Sequence, residues 1–486
     1  MRKAIEFLFN GELRRLADFD PNMTVLRYIR EVERAMGSKE GCAEGDCGAC
    51  TAVVVEQDDG ALRYRAVNSC IQLLGTLDGK ALLTVESLKH SGQLHRAQKA
   101  MVAEHGSQCG FCTPGFVMSI FAGVQHEVQP TRQAIDELLA GNLCRCTGYT
   151  PIINAAKNAL QAGADGEWAA RSDELLNKLK ALSSNTGARV GVQRDAFVIP
   201  RSVEELAAYL VEHPDAALVA GGTDLGVHIT KNHKQYECLV YLGCIPELKQ
   251  IEVLPEGVRL GAAVTYDAAR KPLAELAPSI GQLISRIGAV QVRNLGTIGG
   301  NIGNGSPIGD MPPALIAAGA ELTLRRGAQA RKIALEDYFI AYGRQDINPG
   351  EFIESIWIPR PSPSSVLKVY KVSKRIEQDI SGVCGAFNLE FDSTADEITV
   401  AKARICFGGM AGTPLRAEAC EQFLTGRAWT DETVARAREI LENTYEPLSD
   451  ARASSIYRNR LAGNLLHRYF LECQTSSEVG VVAAQV

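Results

Sequence analysis

Residues 41–50 read GCAEGDCGAC and place Cys42, Cys47 and Cys50 at C-x4-C-x2-C spacing, with Cys70 after 19 more residues. Four thiolates in this pattern are the ligand set of a plant-type [2Fe–2S] cluster. Gly41, Gly45 and Gly48 suit that chemistry. Backbone wrapped closely round a cluster needs positive φ and must turn N–H groups toward sulfur. Zinc competes for four cysteines, but its pairs usually come as C-x2–4-C knuckles, not as three cysteines in one glycine-rich loop. A second quartet follows, Cys109 and Cys112 in QCGFCTPG and Cys144 and Cys146 in NLCRCTGY. Alone this set fits zinc or iron–sulfur; after the first loop it reads as a second [2Fe–2S] site. Two one-electron centres in series describe a wire, so electrons enter and leave elsewhere.

Two glycine-rich stretches in the second half mark a third site. Residues 218–226, LVAGGTDLG, are an apolar strand breaking into a glycine turn, and residues 293–310 read RNLGTIGGNIGNGSPIGD. Neither holds a G-x-G-x-x-G, so the Rossmann fingerprint is absent. Such loops expose runs of backbone N–H groups that can act as an anion nest for a pyrophosphate. Thr223, Asn301, Asn304 and Ser306 add neutral donors, and Asp310 can accept from ribose hydroxyls or order the loop. Either stretch alone would read as tight turns. Together, downstream of two one-electron centres, they point to a flavin diphosphate, which converts single electrons to pairs.

The elements that must position these residues follow from the local pattern. Residues 4–9 alternate into Asn10–Gly11, a type I′ hairpin signal. A helix with Val25, Leu26, Ile29 and Val32 on one face comes next, then the cysteine loop and a β-branched strand over 51–55. This suits a β-grasp ferredoxin-like domain over 1–86. Residues 87–162 turn helical, with Thr113–Pro114 and Thr150–Pro151 as N-cap and first helical residue of two helices that point their N-termini at the second cluster. That is a small four-helix iron–sulfur domain. Residues 163–194 read as an interdomain linker, 195–362 as an α+β flavin domain, 363–473 as a C-terminal α+β domain and 474–486 as a flexible tail. Net charge is −6 without basic runs, and no stretch is long and apolar enough for a membrane helix. Neither nucleic acid nor membrane is an expected partner. The N-terminus lacks a signal-peptide pattern, so a cytoplasmic protein is expected. Six scattered cysteines read as buried structural thiols, and His90, His95 and His105 as surface or interface residues.

EGCAEGDCGACT, QCGFCTPGF, GNLCRCTGY, GGTDL and TIGGNIGNGSPIGD occur in the order found in the molybdenum hydroxylases of the xanthine dehydrogenase/xanthine oxidase family. Over almost all of residues 1–473 the chain resembles the iron–sulfur-and-FAD small subunit of that family's bacterial members. The resemblance implies a multidomain α+β protein whose FAD-binding domain is non-Rossmann and PCMH-like. It implies that Cys42, Cys47, Cys50 and Cys70 hold the cluster nearer the flavin. Cys109, Cys112, Cys144 and Cys146 would hold the one nearer a molybdopterin, with Gln108 and Cys146 close to the pterin. FAD contacts would come from Leu218, Val219, Ala220, Gly221, Gly222, Thr223, Asp224 and Leu225, and from Gly296, Thr297, Gly300, Asn301, Asn304, Ser306 and Asp310. Ile353, Glu354 and Lys371 fall at further flavin positions, and Ile287 falls where the family often stacks an aromatic on the flavin ring. Residues 374–381 match a loop that governs nicotinamide access.

The implied function is that of a xanthine dehydrogenase subunit in purine catabolism. A large molybdopterin-binding partner, paired as αβ and doubled to two pairs, would oxidise hypoxanthine and xanthine to urate. This chain would carry electrons through both [2Fe–2S] clusters to FAD and on to NAD+, with no catalytic residue of its own. Alternatives are the equivalent subunit of a hydroxylase acting on an aldehyde or N-heterocycle, or a non-catalytic iron–sulfur carrier.

Overall fold

A computed structural model describes residues 1–163, 165–192, 195–393 and 398–474. The chain divides into two compact units, one of residues 1–206, 215–246 and 288–296, the other of 207–214, 247–287 and 297–486. The stretch expected as a single flavin domain is thus shared between both.

In the first unit β1 (Ile5–Phe9) and β2 (Glu12–Leu16) form the expected hairpin, with Asn10 at φ 52° and Gly11 at φ 93°. With β3 (Thr51–Asp58), β4 (Ala61–Asn68) and β5 (Ala81–Leu83) they build a mixed sheet in the order β2-β1-β5-β3-β4. The run TAVVV that opens β3 is buried on both faces. Ala52 and Val54 join a core with Phe7, Val25, Tyr28 and Phe197, whereas Val53 and Val55 join a second core with Phe116, Ile120 and Phe121. Period-2 alternation of side chains makes one strand the shared wall of two cores. Thr24 caps α1 (Val25–Arg27), its hydroxyl accepting from Arg27 N–H. The helix then widens to a π turn over Tyr28–Val32, closed by Glu33 N–H on the Tyr28 carbonyl. The wider turn carries Val32 off the apolar face expected for it, leaving it 54% exposed, and buries Tyr28 instead.

Four helices pack beneath β3: α2 (Arg96–Ala103), α3 (Thr113–Gln125), α4 (Arg132–Leu139) and α5 (Thr150–Gln161). Residues 163–194, expected as a linker, carry α6 (Gly166–Leu182) and β6 (Ala188–Val192). Trp168, Leu175 and Leu179 of α6 are buried in the iron–sulfur core, and the Trp168 indole N–H donates to Tyr64 Oη at 3.1 Å. The polar composition of the stretch hides this narrow apolar stripe. His95 is likewise buried, not on the surface: its Nδ1 accepts from Ala97 N–H to cap α2, and its Nε2 lies 2.5 Å from Asp165.

β6 pairs with β7 (Asp195–Ile199). After α7 (Val203–Glu212) come β8 (Ala217–Val219), α8 (Thr223–Asn232) and β9 (Cys238–Tyr241), closing a sheet in the order β6-β7-β9-β8. This sheet shares its core with the ferredoxin-like sheet through Phe197, Val219 and Tyr241.

The second unit is built on β10 (Ile251–Leu254), β11 (Gly257–Gly261), β12 (Glu321–Arg326), β13 (Gln329–Ala334) and, after the hairpin β14 (Phe339–Ala341) and β15 (Arg344–Gln345), β16 (Phe352–Pro359). They pair in the order β10-β11-β16-β12-β13. α9 (Tyr266–Leu276), α10 (Pro278–Ser285), α12 (Ile298–Asn304), α13 (Met311–Ala318) and α14 (Leu335–Tyr338) belong with this sheet; the short α11 (Val290–Arg293) returns to the first unit. A second antiparallel sheet, β17 (Ser365–Val372), β18 (Val383–Ser393), β19 (Ile398–Gly408) and β20 (Leu415–Arg416), packs with α15 (Glu418–Leu424), α16 (Asp431–Glu442) and α17 (Ser455–Gln474). The expected tail lies outside the described residues except for Gln474. Of the scattered cysteines, Cys384, Cys406 and Cys420 are buried, while Cys238, Cys244 and Cys473 are half-buried. Among the described residues no helix is long and apolar enough to cross a membrane.

Trp168→Ala should lower stability by about 3–5 kcal/mol, read as a shift of the urea or thermal midpoint of the purified protein. A residue in a free linker would move it by no more than about 0.5 kcal/mol.

Candidate cofactor sites

The first thiol quartet sits on the loop that feeds β3 and on the turn that leaves β4. Its sulfurs touch in a string: Cys42 meets Cys47 and Cys70, and Cys70 also meets Cys50. Hydrogen bonds from the Cys47 and Cys70 thiols draw the Cys42 thiol well below its ordinary range; the same contacts push Cys47 and Cys70 up. The backbone N–H groups of Asp46 and Cys47 each lie 3.3 Å from Cys42 Sγ. The chain turns back to it through Ala43 and Gly45, both at positive φ, and Gly48 beyond them is also left-handed. A Cβ on Gly41 would come within 2.8 Å of Cys47 Sγ, so this position has room only for glycine. Among the described residues no three metal-ligating side chains are arranged to hold a single ion. The string of four sulfurs with amide donors turned toward it fits a two-iron cluster better than one zinc.

The second quartet lies at the starts of α3 and α5. Cys112 meets Cys144, and Cys109 meets Cys146. Burial, with the Cys144 contact, pushes the Cys112 thiol up to about 12. Cys112 itself occupies the N-cap position of α3 and Tyr149, at φ 69°, that of α5. Both helices therefore begin one residue before the expected Thr113 and Thr150 caps, and Thr113 Oγ1 bonds Ser107 Oγ at 2.7 Å instead. Tyr149 Oη accepts from Cys144 N–H at 3.0 Å. Cys109 and Cys146 are exposed, as are Gln108, Phe111, Leu143 and Tyr149 around them.

One hydrogen bond joins the two sets: Leu143 N–H donates to the Cys47 carbonyl at 3.0 Å, and Leu143 is bonded to Cys144. Beside it, Asn142 Nδ2 donates to the Gly48 carbonyl at 3.1 Å and lies 3.2 Å from Thr51 Oγ1. Asn142 Oδ1 accepts from Ser119 at 2.6 Å and from Gln291 Nε2 at 3.1 Å. A Cβ on Gly115 would lie 2.2 Å from the Gly48 carbonyl, so α3 can approach the first loop only through glycine. The motif GNLCRC contains Asn142, but nothing in the sequence marks Gln291 as its partner.

The first flavin segment, residues 218–225 with Gly296, lies in the same unit. A Cβ on Gly221 would meet the Leu295 carbonyl at 2.1 Å, and Gly222, left-handed at φ 72°, starts α8. Gly221 thus lets the Leu295–Gly296 backbone close on the turn, and Gly222 opens a helix N-terminus whose N–H groups can meet an anion. Farther along, α8 rests on the first thiol loop. A Cβ on Gly226 would meet the Ile71 carbonyl at 2.1 Å, Val227 packs with Cys50 and Cys70, and Thr230 Oγ1 donates to the Ala43 carbonyl at 2.6 Å.

The second segment begins α12 in the other unit. The Thr297 hydroxyl accepts from Gly300 N–H at 2.9 Å and caps the helix. Asn301 Oδ1 is buried without a partner, and Asn304 ends the helix before left-handed Gly305. Ser306 turns back on itself, its carbonyl accepting from Gly309 N–H at 3.1 Å. Asp310 is buried in an ion pair with Lys371 Nζ at 2.7 Å, also accepts from the Ser381 hydroxyl, and so orders the loop. Ile353 packs near Gly303 of α12, whereas Glu354, the extra residue of a bulge between β12 and β16, pairs with Arg325 at 3.0 Å. Ile287 packs against the core of this unit, and residues 374–381 form a loop that is exposed at 374–377 and 380 and ends on buried Ser381, with Asp379 accepting from Arg375 N–H at 2.8 Å. In the second unit, the orphaned Asn301 oxygen fits a group with a hydroxyl or amide donor to place; in the first, the turn at Gly221–Gly222 fits a phosphate at a helix N-terminus.

Residues 9–73 match the model of the 2Fe-2S iron-sulfur cluster binding domain and 84–157 that of the [2Fe-2S] binding domain. Residues 191–361 match the FAD binding domain in molybdopterin dehydrogenase, and 368–473 the CO dehydrogenase flavoprotein C-terminal domain. The xanthine dehydrogenase of Blastobotrys adeninivorans is 30% identical over 96% of this chain and 40% of its own length. The xanthine dehydrogenase/oxidase of Rattus norvegicus is 28% identical over 96% of this chain and 38% of its own. This chain therefore spans about two fifths of the curated relatives it matches. A solved structure of reconstituted CO dehydrogenase from Oligotropha carboxidovorans is 31% identical, with a TM-score of 0.52 over 57% of this chain and 96% of that one. The chain belongs to the molybdenum hydroxylase family, in which it is like the small subunit, with two 2Fe-2S domains and an FAD-binding domain.

Asn142→Leu removes one hydrogen bond from each of three buried groups, the Gly48 carbonyl, the Ser119 hydroxyl and the Gln291 amide, which keep other partners among Thr51, Ser119 and Gln291. Each lost bond is expected to cost about 0.5–1.5 kcal/mol, and iron per protein should fall, measured by a urea melt alongside an iron assay.

Proposed function

We propose that this chain is the electron-transfer part of a cytoplasmic xanthine dehydrogenase. It would take electrons from a molybdopterin-bearing partner that oxidises hypoxanthine and xanthine, and deliver them to NAD+. The observation that carries this reading is the single hydrogen bond from Leu143 N–H to the Cys47 carbonyl, which puts two thiol quartets one peptide and one hydrogen bond apart. When bound, the clusters carry single electrons and the flavin exchanges them for pairs. Cys42, Cys47, Cys50 and Cys70 are the ligands of one cluster; Cys109, Cys112, Cys144 and Cys146 are those of the other. Asn142 holds the two loops in register. Exposed Cys109 and Cys146, with Phe111, Leu143 and Tyr149, give the second cluster a face open to the partner, which would assemble as αβ and as two such pairs.

The FAD residues are 218–225 and Gly296 in the first unit, and Thr297, Gly300, Asn301, Asn304, Ser306, Asp310, Ile353, Glu354 and Lys371 in the second. Gly221 and Gly222 offer bare backbone to the diphosphate. Asn301 has an acceptor to give, and Lys371 holds Asp310 in place.

The test is anaerobic addition of xanthine, without NAD+, to the protein purified with its partner, followed by visible absorbance. Bleaching of the cluster and flavin bands is expected. Bleaching by NADH but not by xanthine would instead assign the partner to another substrate, an aldehyde or an N-heterocycle. In a folded Cys144→Ser variant, xanthine should no longer bleach the flavin while NADH still does. Equal loss of both responses would overturn the proposed order of the two clusters.

A further inference from the structure

We infer that the side-chain amide of Asn68 donates a hydrogen bond to a sulfur of the cluster held by Cys42, Cys47, Cys50 and Cys70, and so raises that cluster's reduction potential. The inference rests on the proposal that these four cysteines bind a cluster. Asn68 ends β4, two residues before Cys70, and is 1% exposed. Its backbone is fully engaged, the carbonyl accepting from the N–H groups of Ile71 and Gln72 at 3.2 Å each. Its side chain is not: neither Nδ2 nor Oδ1 has a hydrogen-bond partner, although both are buried.

Buried amides without partners are rare in folded proteins and call for a missing group. Among its neighbours Gln72 has an unpartnered amide oxygen but its nitrogen donates to Thr76, so only Asn68 has both ends of its amide open. Ser69 donates to the Cys50 carbonyl at 2.6 Å, and Asn142 on the far side of the loop is satisfied at both ends of its amide. The unpartnered amide also faces the thiols. It stands two residues before Cys70, and a Cβ built on Gly45 of the cysteine loop would stand 3.8 Å from Asn68 Cγ. Asn68 thus forms part of the wall of the four-sulfur string, next to the pair Cys50–Cys70.

Sulfur bound to iron only accepts hydrogen bonds, so the amide can address it only through Nδ2–H. A hydrogen bond to cluster sulfur strengthens when the cluster gains an electron, because the acceptor then carries more negative charge. Each such donor favours the reduced form and moves the potential upward. Asn68 is a positioning and tuning residue in this account, since the cysteines bind the iron without it.

The experiment is an EPR-monitored redox titration of the holoprotein and of Asn68→Leu, which keeps the volume and removes the donor. The midpoint of the first cluster should move to more negative potential in the variant, with that of the Cys109/112/144/146 cluster unchanged as an internal reference. An unmoved first midpoint overturns the inference. Should the variant fail to load iron, wild-type protein grown with asparagine isotopically labelled at its side-chain nitrogen decides the matter. Pulsed EPR should find that nitrogen coupled to the reduced first cluster, and absence of the coupling overturns the inference. If wild-type protein gives no [2Fe–2S] signal from this site, the cluster assignment itself fails.

Discussion

Everything in the first unit depends on backbone meeting backbone without side chains between. The Gly48 carbonyl is pressed between Gly115 of α3 and the Asn142 amide, and one residue away the Cys47 carbonyl takes the Leu143 N–H. Two loops that carry thiols can come this close only where glycine removes the Cβ and where every buried carbonyl still finds a donor. Gly115 meets the first demand and Asn142 helps meet the second, with Thr51, Ser119 and Gln291 filling the remaining capacity of its amide. β3 then holds the arrangement from below, being packed on both of its faces.

The second unit solves a different problem. A turn rich in glycine has little intrinsic order, and here a buried charge supplies it. Asp310, held by Lys371 and Ser381, fixes the end of the Ser306–Asp310 turn, while Lys371 also donates to the Arg286 carbonyl at 3.0 Å. Removing either member of such a pair strands a charge in the interior, so the two residues act as one element. The flavin segments therefore differ in kind: one is shaped by missing side chains, the other by an ion pair.

Cysteine spacing, the Asn10–Gly11 hairpin and the strand over 51–55 were legible in the sequence, because each is a local pattern; that both faces of β3 are buried was not. Family motifs carried the order of the four domains. What escaped was whatever depended on distant partners. The stripe of Trp168, Leu175 and Leu179 lay inside a polar stretch that read as a linker. His95 looked like a surface histidine until Asp165, 70 positions away, closed on it. The π turn after Arg27, which turns Val32 outward, has no signature in residue type. Asp310 was open between holding a ribose and ordering its loop; its bonds to Lys371 and Ser381, far along the chain, could not be read from the sequence.

Helix α8 starts at the glycine turn and touches the first thiol loop through Gly226 and Thr230. From Thr223 to Thr230 is seven residues, or about 10 Å of helical rise. The helix is consequently a ruler. A loop can stretch or slip, but a hydrogen-bonded helix has one length, and its far end is pinned to the Ala43 carbonyl. Insertions elsewhere in the chain can accumulate without changing this distance, whereas a single residue added within α8 would swing its contact face by about 100° and detach the ruler from its mark.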